Sequence, residues 1–271
     1  MNKNSVKTTL QSILQTIYPF LVIGVIWEVS VRLDWIPSSN LSSPLIILQR
    51  FIDVAFVDGI LWKHFLSSFT RLVIGFSLAS ILGLITGALL SMQPLLNKMF
   101  EPVINLLVSV PTIAWVPVLL ITMGLGDKTV ITTIFLGSFF VIVYNTMRGI
   151  EIVDKNIINA AHSMGVHGTK LFAKVLIPAS FVSILTGLRL GLGYAWRALV
   201  GGEMLSAMIQ WGVGKMIFQA RFWNDTATMI VGILIIGFSV ILIDQVMINY
   251  IEKITVYRWG MVNQVEESSL E

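Results

Sequence analysis

Few side chains in this 271-residue sequence could do chemistry, and the most suggestive are charges set in apolar, helix-forming runs. Between residues 180 and 207, Arg189, Trp196 and Glu203 recur at seven-residue steps, and Arg197 stands off that line. Seven residues is close to two helical turns, so the three share one face. A charge at the centre of a bilayer costs about 2.5–3.5 kcal/mol or more. That face must therefore meet protein or water. It is expected to border a solute path or its gate. The competing expectation is that Arg189 and Glu203 lie near the two membrane boundaries and make structural hydrogen bonds. Arg197 is deeper and is the better single candidate for attracting an anion. On the other side of the same helix, Gly187, Gly191, Ala195, Ala198 and Gly202 form a smooth stripe. Such a stripe lets a second helix approach closely.

Other chemistry is missing. The chain has no cysteine, so disulfides, thiolate metal sites and thiol nucleophiles are excluded. Its histidines, His64, His162 and His167, fall in polar connecting segments and are poorly spaced for shared metal ligation. No HExxH, GxSxG or GxxxxGK[ST] pattern occurs. The chain therefore lacks the usual means to hydrolyse ATP, and no cofactor of its own is expected. The net charge of +3, without a basic tract, gives no reason to expect nucleic acid.

The elements that carry these residues are membrane helices. Hydrophobic residues make up 55% of the sequence and charged residues 12%, about half the charge of a soluble domain. The charge-free runs Val73–Ser91, Pro102–Gly126 and Thr129–Met147 are each long enough to cross about 30 Å of hydrocarbon. Three further runs contain charges: Ile17–Val31 with Glu28, Ser180–Ala207, and Met229–Ile251 with Asp244. The expectation is an all-α, polytopic membrane protein of six transmembrane helices. The period-two alternation of a membrane β-barrel is absent. One domain spans 1–271. A cytoplasmic segment at 1–16, without signal-peptide features, precedes a membrane core at 17–251, and a cytoplasmic tail follows at 252–271. A weak excess of Lys and Arg, including Lys98, Arg148, Lys155, Lys170, Lys174, Lys253 and Arg258, places both termini inside.

Two outer segments and one span have further shape. A helix should start at Pro44 and lie on the outer surface, or pack as a loop helix, through Ile46, Ile47, Phe51, Val54 and Ala55. The glycine- and aromatic-rich stretch 206–227 forms the other long outer segment. Trp35, Trp62, Trp211 and Trp223 fall near the outer boundaries. The third span contains Pro111 and Pro117, which should kink or unwind it. Broken helices of this kind often line transport paths.

Residues 148–178 differ from everything around them. They are polar, charged and helix-forming. Val153–Met164 should form a helix with Asp154 near its start. Gly165 should end it in a left-handed conformation. Leu171–Leu176 should then form a second short helix that stops near Pro178. A helix, a glycine turn and a helix make a compact knob suited to a groove in another protein.

The chain resembles permeases of binding-protein-dependent ABC importers, in the nitrate/sulfonate/taurine/bicarbonate group. The family loop has Glu-Ala-Ala, three residues, Gly, nine residues, then Ile-x-Leu-Pro. Here it stands as Asn159-Ala160-Ala161, Gly165 and Val175-Leu176-Ile177-Pro178, with Asn159 in place of the glutamate. Leu41-Ser-Ser-Pro44, Ser68-Phe-Thr-Arg71, Gly83-xxx-Gly87, Pro111-Thr-Ile-Ala-Trp-Val-Pro117, Asn145, Gly187-Leu-Arg189, Ala195-Trp196 and Glu203 match the narrower group.

The resemblance implies a type I importer permease fold in a multi-pass protein of a bacterial or archaeal plasma membrane. It implies a second permease copy, most simply a homodimer. It also implies two ABC ATPase subunits that bind the ATP, and a periplasmic or lipoprotein solute-binding protein. ATPase coupling would fall to Asn159, Ala160, Ala161, His162, Ser163, Met164, Gly165 and Pro178. The translocation path would draw on Arg197, Trp196, Glu203, Arg189, Trp115 and Asn145. The solute would be a small oxyanion or sulfonate, with a vitamin precursor such as a pyrimidine as the alternative. A secondary transporter or channel would need ion sites in several spans. A membrane enzyme would need a clustered nucleophile, acid or metal set.

Overall fold

The computed structural model describes residues 3–37, 40–206 and 208–245, with side chains from Tyr18 onward. The described residues are helical and contain no strand. In order they form α1 (Lys3–Arg32), α2 (Pro44–Ile52), α3 (Ile60–Met92), α4 (Pro94–Ser109), α5 (Val116–Met123) and α6 (Asp127–Glu151). Then come α7 (Lys155–Ser163), α8 (Gly168–Leu171), α9 (Ile177–Ala179), α10 (Phe181–Leu205), α11 (Val213–Phe222) and α12 (Thr226–Ile243).

Three of these, α3, α6 and α12, are single helices long and apolar enough to cross a membrane. Two bent pairs raise the number to five: α4 with the segment Thr112–Met123, and Gly168–Ala179 with α10. The first expected span falls inside α1. That helix runs unbroken from Lys3, through the segment expected to precede the span. From Phe20 to Val29 most of its large apolar side chains point outward. The sixth expected span is α12, but residues 246–251, and the tail with Lys253 and Arg258, lie outside the described residues.

The chain divides into two units. The first comprises residues 1–64 and 216–235. Its core sets Ile47 of α2 against Ala227 and Val231 of α12, with Trp27 and Phe51 packed alongside. A Cβ on Gly232 would come within 2.5 Å of Ile217, so glycine is what lets α11 and α12 touch. Glu28, the charge in the first span, has a structural task. It accepts from Arg32 Nε at 2.7 Å and from the Leu45 N–H at 3.2 Å, a free donor in the first turn of α2. The helix begins at Pro44 as expected, and Ile47, Val54 and Ala55 are buried. Ile46 is exposed, on the turn of α2 beside Ile47 but off the buried face.

The second unit comprises residues 65–215 and 236–271. Its centre is α6, where 13 of 25 residues are buried. The α10 stripe lies directly on it. Added Cβ atoms on Gly187 and Gly191 would meet Asn145 and Ile142 at 2.6 and 2.8 Å. A second stripe approaches α6 from α3. Cβ atoms on Gly75, Gly83 and Gly87 would meet Ile134, Ile142 and Thr146 at 2.8, 3.0 and 2.7 Å, and Ala79 between them is fully buried. Close packing replaces the hydrophobic drive that lipid cannot supply.

The third span does break, but at one proline only. Val110 and Pro111 are extended, residues 112–115 form a single 3₁₀ turn, and the chain bends through 91°. Pro117, expected to disturb a helix interior, occupies the first turn of α5 instead, where its missing N–H leaves no bond unmade.

Candidate functional site

The connecting segment builds its knob from local bonds. Asp154 caps α7, its carboxylate accepting from the Asn156 N–H at 2.8 Å. At the far end Gly165 has φ +76°, as a left-handed terminator requires. Its N–H donates to His162 O, and the Val166 N–H donates to Ala161 O, both at 2.9 Å. These two reversed bonds close the helix end. The turn also stacks the His162 and His167 rings, 4.8 Å apart and 5° from parallel.

Asn159, Ala160, His162, Ser163, Met164 and Gly165 are exposed on the knob, whereas Ala161 is buried beneath it. Pro178 does not stop the second helical stretch. A π-turn over Phe172–Leu176 precedes it, and it falls in the first turn of α9, which tolerates its missing donor. The axis then bends by 63° into α10.

On α10 the expected residues separate into different surroundings. Glu203 is 1% exposed and fully engaged. It accepts from Arg71 Nη1 at 2.7 Å, from Ser68 Oγ at 2.8 Å and from the Gly214 N–H at 2.9 Å. Ser68 Oγ also accepts the Val213 N–H at 2.8 Å. Arg71 continues outward to Trp211 O at 2.7 Å and to Asp127 at 2.9 Å. The cluster thus fastens the 211–214 stretch to α3, α6 and α10. Gly212 is part of the fit, since a Cβ there would come within 2.6 Å of the Glu203 carboxyl.

Trp196 is also enclosed, packed with Leu72, Val130, Ile134 and Leu199. Its indole N–H has no hydrogen-bond acceptor among the described residues. Arg189 donates to Asp244 at 3.1 Å. Asn145 donates to Val141 O at 2.8 Å and lies against Gly187 in the α6–α10 seam. The face expected to meet either protein or water is therefore closed by protein at Trp196 and Glu203.

Arg197 is different. It is exposed, and its guanidinium carbon lies 5.4 Å from the centre of the Tyr194 ring. No carboxylate reaches it among the described residues, whereas Arg71, Arg148 and Arg189 each have at least one. Trp115 lines a small cleft beside the broken span together with Leu107, Thr112, Phe140 and Tyr194. Arg197 and Trp115 thus share Tyr194 as a neighbour.

Reasoning from the sequence missed Arg71 and Ser68 as partners of Glu203, and Asp127 as a second partner of Arg71. The available signal was the requirement that a buried carboxylate have a cation, together with the motif Ser68-Phe-Thr-Arg71.

Residues 79–253 match the family of the binding-protein-dependent transport system inner membrane component. The bicarbonate transport system permease protein CmpB of Synechocystis is 32% identical over 250 residues, covering 89% of this chain and 88% of that protein. A putative ABC transporter permease, MJ0413 of Methanocaldococcus jannaschii, is 38% identical over 194 residues, covering 72% of each. The taurine transport system permease protein TauC of Escherichia coli is 29% identical over 227 residues, covering 82% of each. The MetNI methionine ABC transporter, solved in inward-facing form, shares the fold with TM-score 0.60 at 19% identity, covering 75% of this chain and 97% of that one. With its apolar helices, its bent spans and its knob at 154–179, this chain belongs to the inner-membrane permease family of binding-protein-dependent ABC importers.

Proposed function

We propose that this permease works as one of two copies around a single path, driven by two separate ATPase subunits that bind and hydrolyse the ATP. A periplasmic or lipoprotein solute-binding protein delivers the solute. The observation that carries this reading is the knob. It is a capped helix closed by reversed bonds at Gly165, with Asn159, Ala160 and Met164 presented outward and Pro178 at its base. Such a rigid, exposed element is suited to a groove on an ATPase.

The solute is a small oxyanion or sulfonate. Support comes from relatives named for bicarbonate, taurine, nitrate and aliphatic sulfonates. Arg197 and Trp115 stand at the wall of the path. Asn145, Trp196, Arg189 and Glu203 act behind it, holding α10 in place. The chain itself needs no cofactor.

The test is reconstitution in proteoliposomes with the cognate ATPase and binding protein. Wild type should show solute-stimulated ATP hydrolysis and take up one of bicarbonate, nitrate or taurine. Ala161→Asp puts a charge under the knob, and Gly165→Val forces a branched residue into a left-handed conformation at about 1–2 kcal/mol. Both should remain in the membrane yet lose stimulation. Normal stimulation and uptake in both variants would overturn the coupling assignment. Uptake of a neutral pyrimidine alone would overturn the solute class.

A further inference from the structure

We propose that the α10 face carrying Gly193, Tyr194 and Arg197 is a wetted wall of the path, where the negative group of the solute serves as the counter-ion of Arg197. This rests on the importer reading and adds where, and by what chemistry, the solute is held.

Exclusion supplies the first argument. The small-residue stripe of α10 is spent on α6, and Trp196 and Glu203 are enclosed. The side left over bears Thr186, Leu190 and Arg197, all exposed, with Tyr194 half-buried. A Cβ added at Gly193, one turn before Arg197, would meet nothing within 4 Å. Gly201, one turn after Arg197, is covered by Ile113 at 3.1 Å. The break in the third span therefore reaches α10 next to Arg197, and the Tyr194-lined cleft opens alongside.

Charge supplies the second argument. The described arginines of this unit other than Arg197 are each neutralised by Asp or Glu. Arg197 has only an aromatic ring, which attracts a cation without neutralising it. A guanidinium keeps a flat fork of donors for the oxygens of a sulfonate, carboxylate or nitrate. A lipid phosphate offers the same oxygens. Arg197, however, is eight residues inside the Leu205 end of α10, about 12 Å along the axis. The test must separate these two sources.

The chain has no cysteine, so Gly193→Cys gives a single thiol. In proteoliposomes holding the permease with its ATPase, that thiol is exposed to an anionic (sulfonatoethyl) or a cationic (trimethylammonioethyl) methanethiosulfonate reagent. Each rate is normalised to the reagent's rate with a free thiol. The proposal expects labelling, with the anionic reagent favoured about tenfold by the local potential. Arg197→Gln should abolish that preference, and Arg197→Lys should keep much of it. Nitrate, bicarbonate or taurine, whichever is transported, should slow the anionic reagent.

Two results would overturn the proposal. One is an inert thiol in Gly193→Cys, with and without vanadate-trapped nucleotide, while exposed Met208→Cys reacts; the face would then be covered by lipid or protein. The other is a reactive thiol in Gly193→Cys whose charge preference survives Arg197→Gln. If the ATPase does not co-purify, the importer reading fails instead, and labelling of the permease alone in vesicles still reports on the face.

Discussion

Arg71 and Arg197 are the same residue type in neighbouring helices of one unit, and their surroundings are opposite. Arg71 meets two carboxylates and a carbonyl and is almost fully buried. Arg197 is exposed and meets one ring. Taking an ion out of water costs several kcal/mol, and only well-placed partners repay it. Arg71 has those partners within the chain. Arg197 has none among the described residues. Arg71 is saturated internally and belongs to the architecture, whereas the open charge of Arg197 is what the proposed solute contact rests on.

Removing one member of the closed cluster should have the largest effect. Glu203→Ala leaves the Arg71 guanidinium without its buried counter-charge, at about 3–5 kcal/mol. The purified permease should melt far lower or fail to accumulate. Arg197→Ala, by contrast, should lose transport while its melting temperature stays close to wild type. Melting curves for both variants decide the matter, and equal losses of stability would erase the distinction between the two arginines.

A smaller effect is expected at Gly212→Ala. The new methyl would press on the Glu203 carboxyl, an overpacking usually worth about 1–3 kcal/mol. It should loosen the 211–214 stretch, seen as faster proteolysis there. Unchanged proteolysis would mean that this stretch is held by contacts other than Glu203.

The smallest effect concerns Asp225, at the head of α12 and outside the membrane segments. Burial pushes its carboxyl up, but the Thr228 hydroxyl and N–H, and then Arg50, outweigh that and hold it below the ordinary range. The folded form therefore releases this proton more readily than the unfolded one. Its contribution is complete above about pH 4 and is lost as pH falls through the lower folded value. Asp225→Asn should lower the melting temperature slightly near neutral pH and narrow the gap from wild type at about pH 3. A gap that widens in acid would reverse the assignment.

What could be read from the sequence was what is encoded locally. Asp154 and Gly165 declare a helix start and stop because caps depend on a few adjacent residues. The α10 stripe was visible in its spacing. Gly75, Ala79, Gly83 and Gly87 carry the same signal and identify α3 as the opposing partner of α6. The pairing of Ser68 and Arg71 with Glu203 was hidden, because residues more than 130 positions apart share no local pattern. The break was only half legible. A proline pushes the residue before it towards extended backbone, and Val110 complies, whereas Val116 stays helical before Pro117. Tertiary packing, not the local preference, decided between the two prolines.

The 63° bend at Ser180 has a mechanical consequence. A thrust along the incoming segment reaches α10 mostly as a sideways load. The other end of α10 is pinned at Glu203 and its small-residue stripe is seated on α6, so the two helices would turn together about a hinge near that tip. Arg197 is six residues, about 9 Å, from the pin and about 26 Å from the bend. Rigid rotation would move it only about a quarter as far as Ser180. On the proposed reading, the swing is larger at Val182 and Thr186, where the path would open and shut, and smaller at the arginine that would meet the solute.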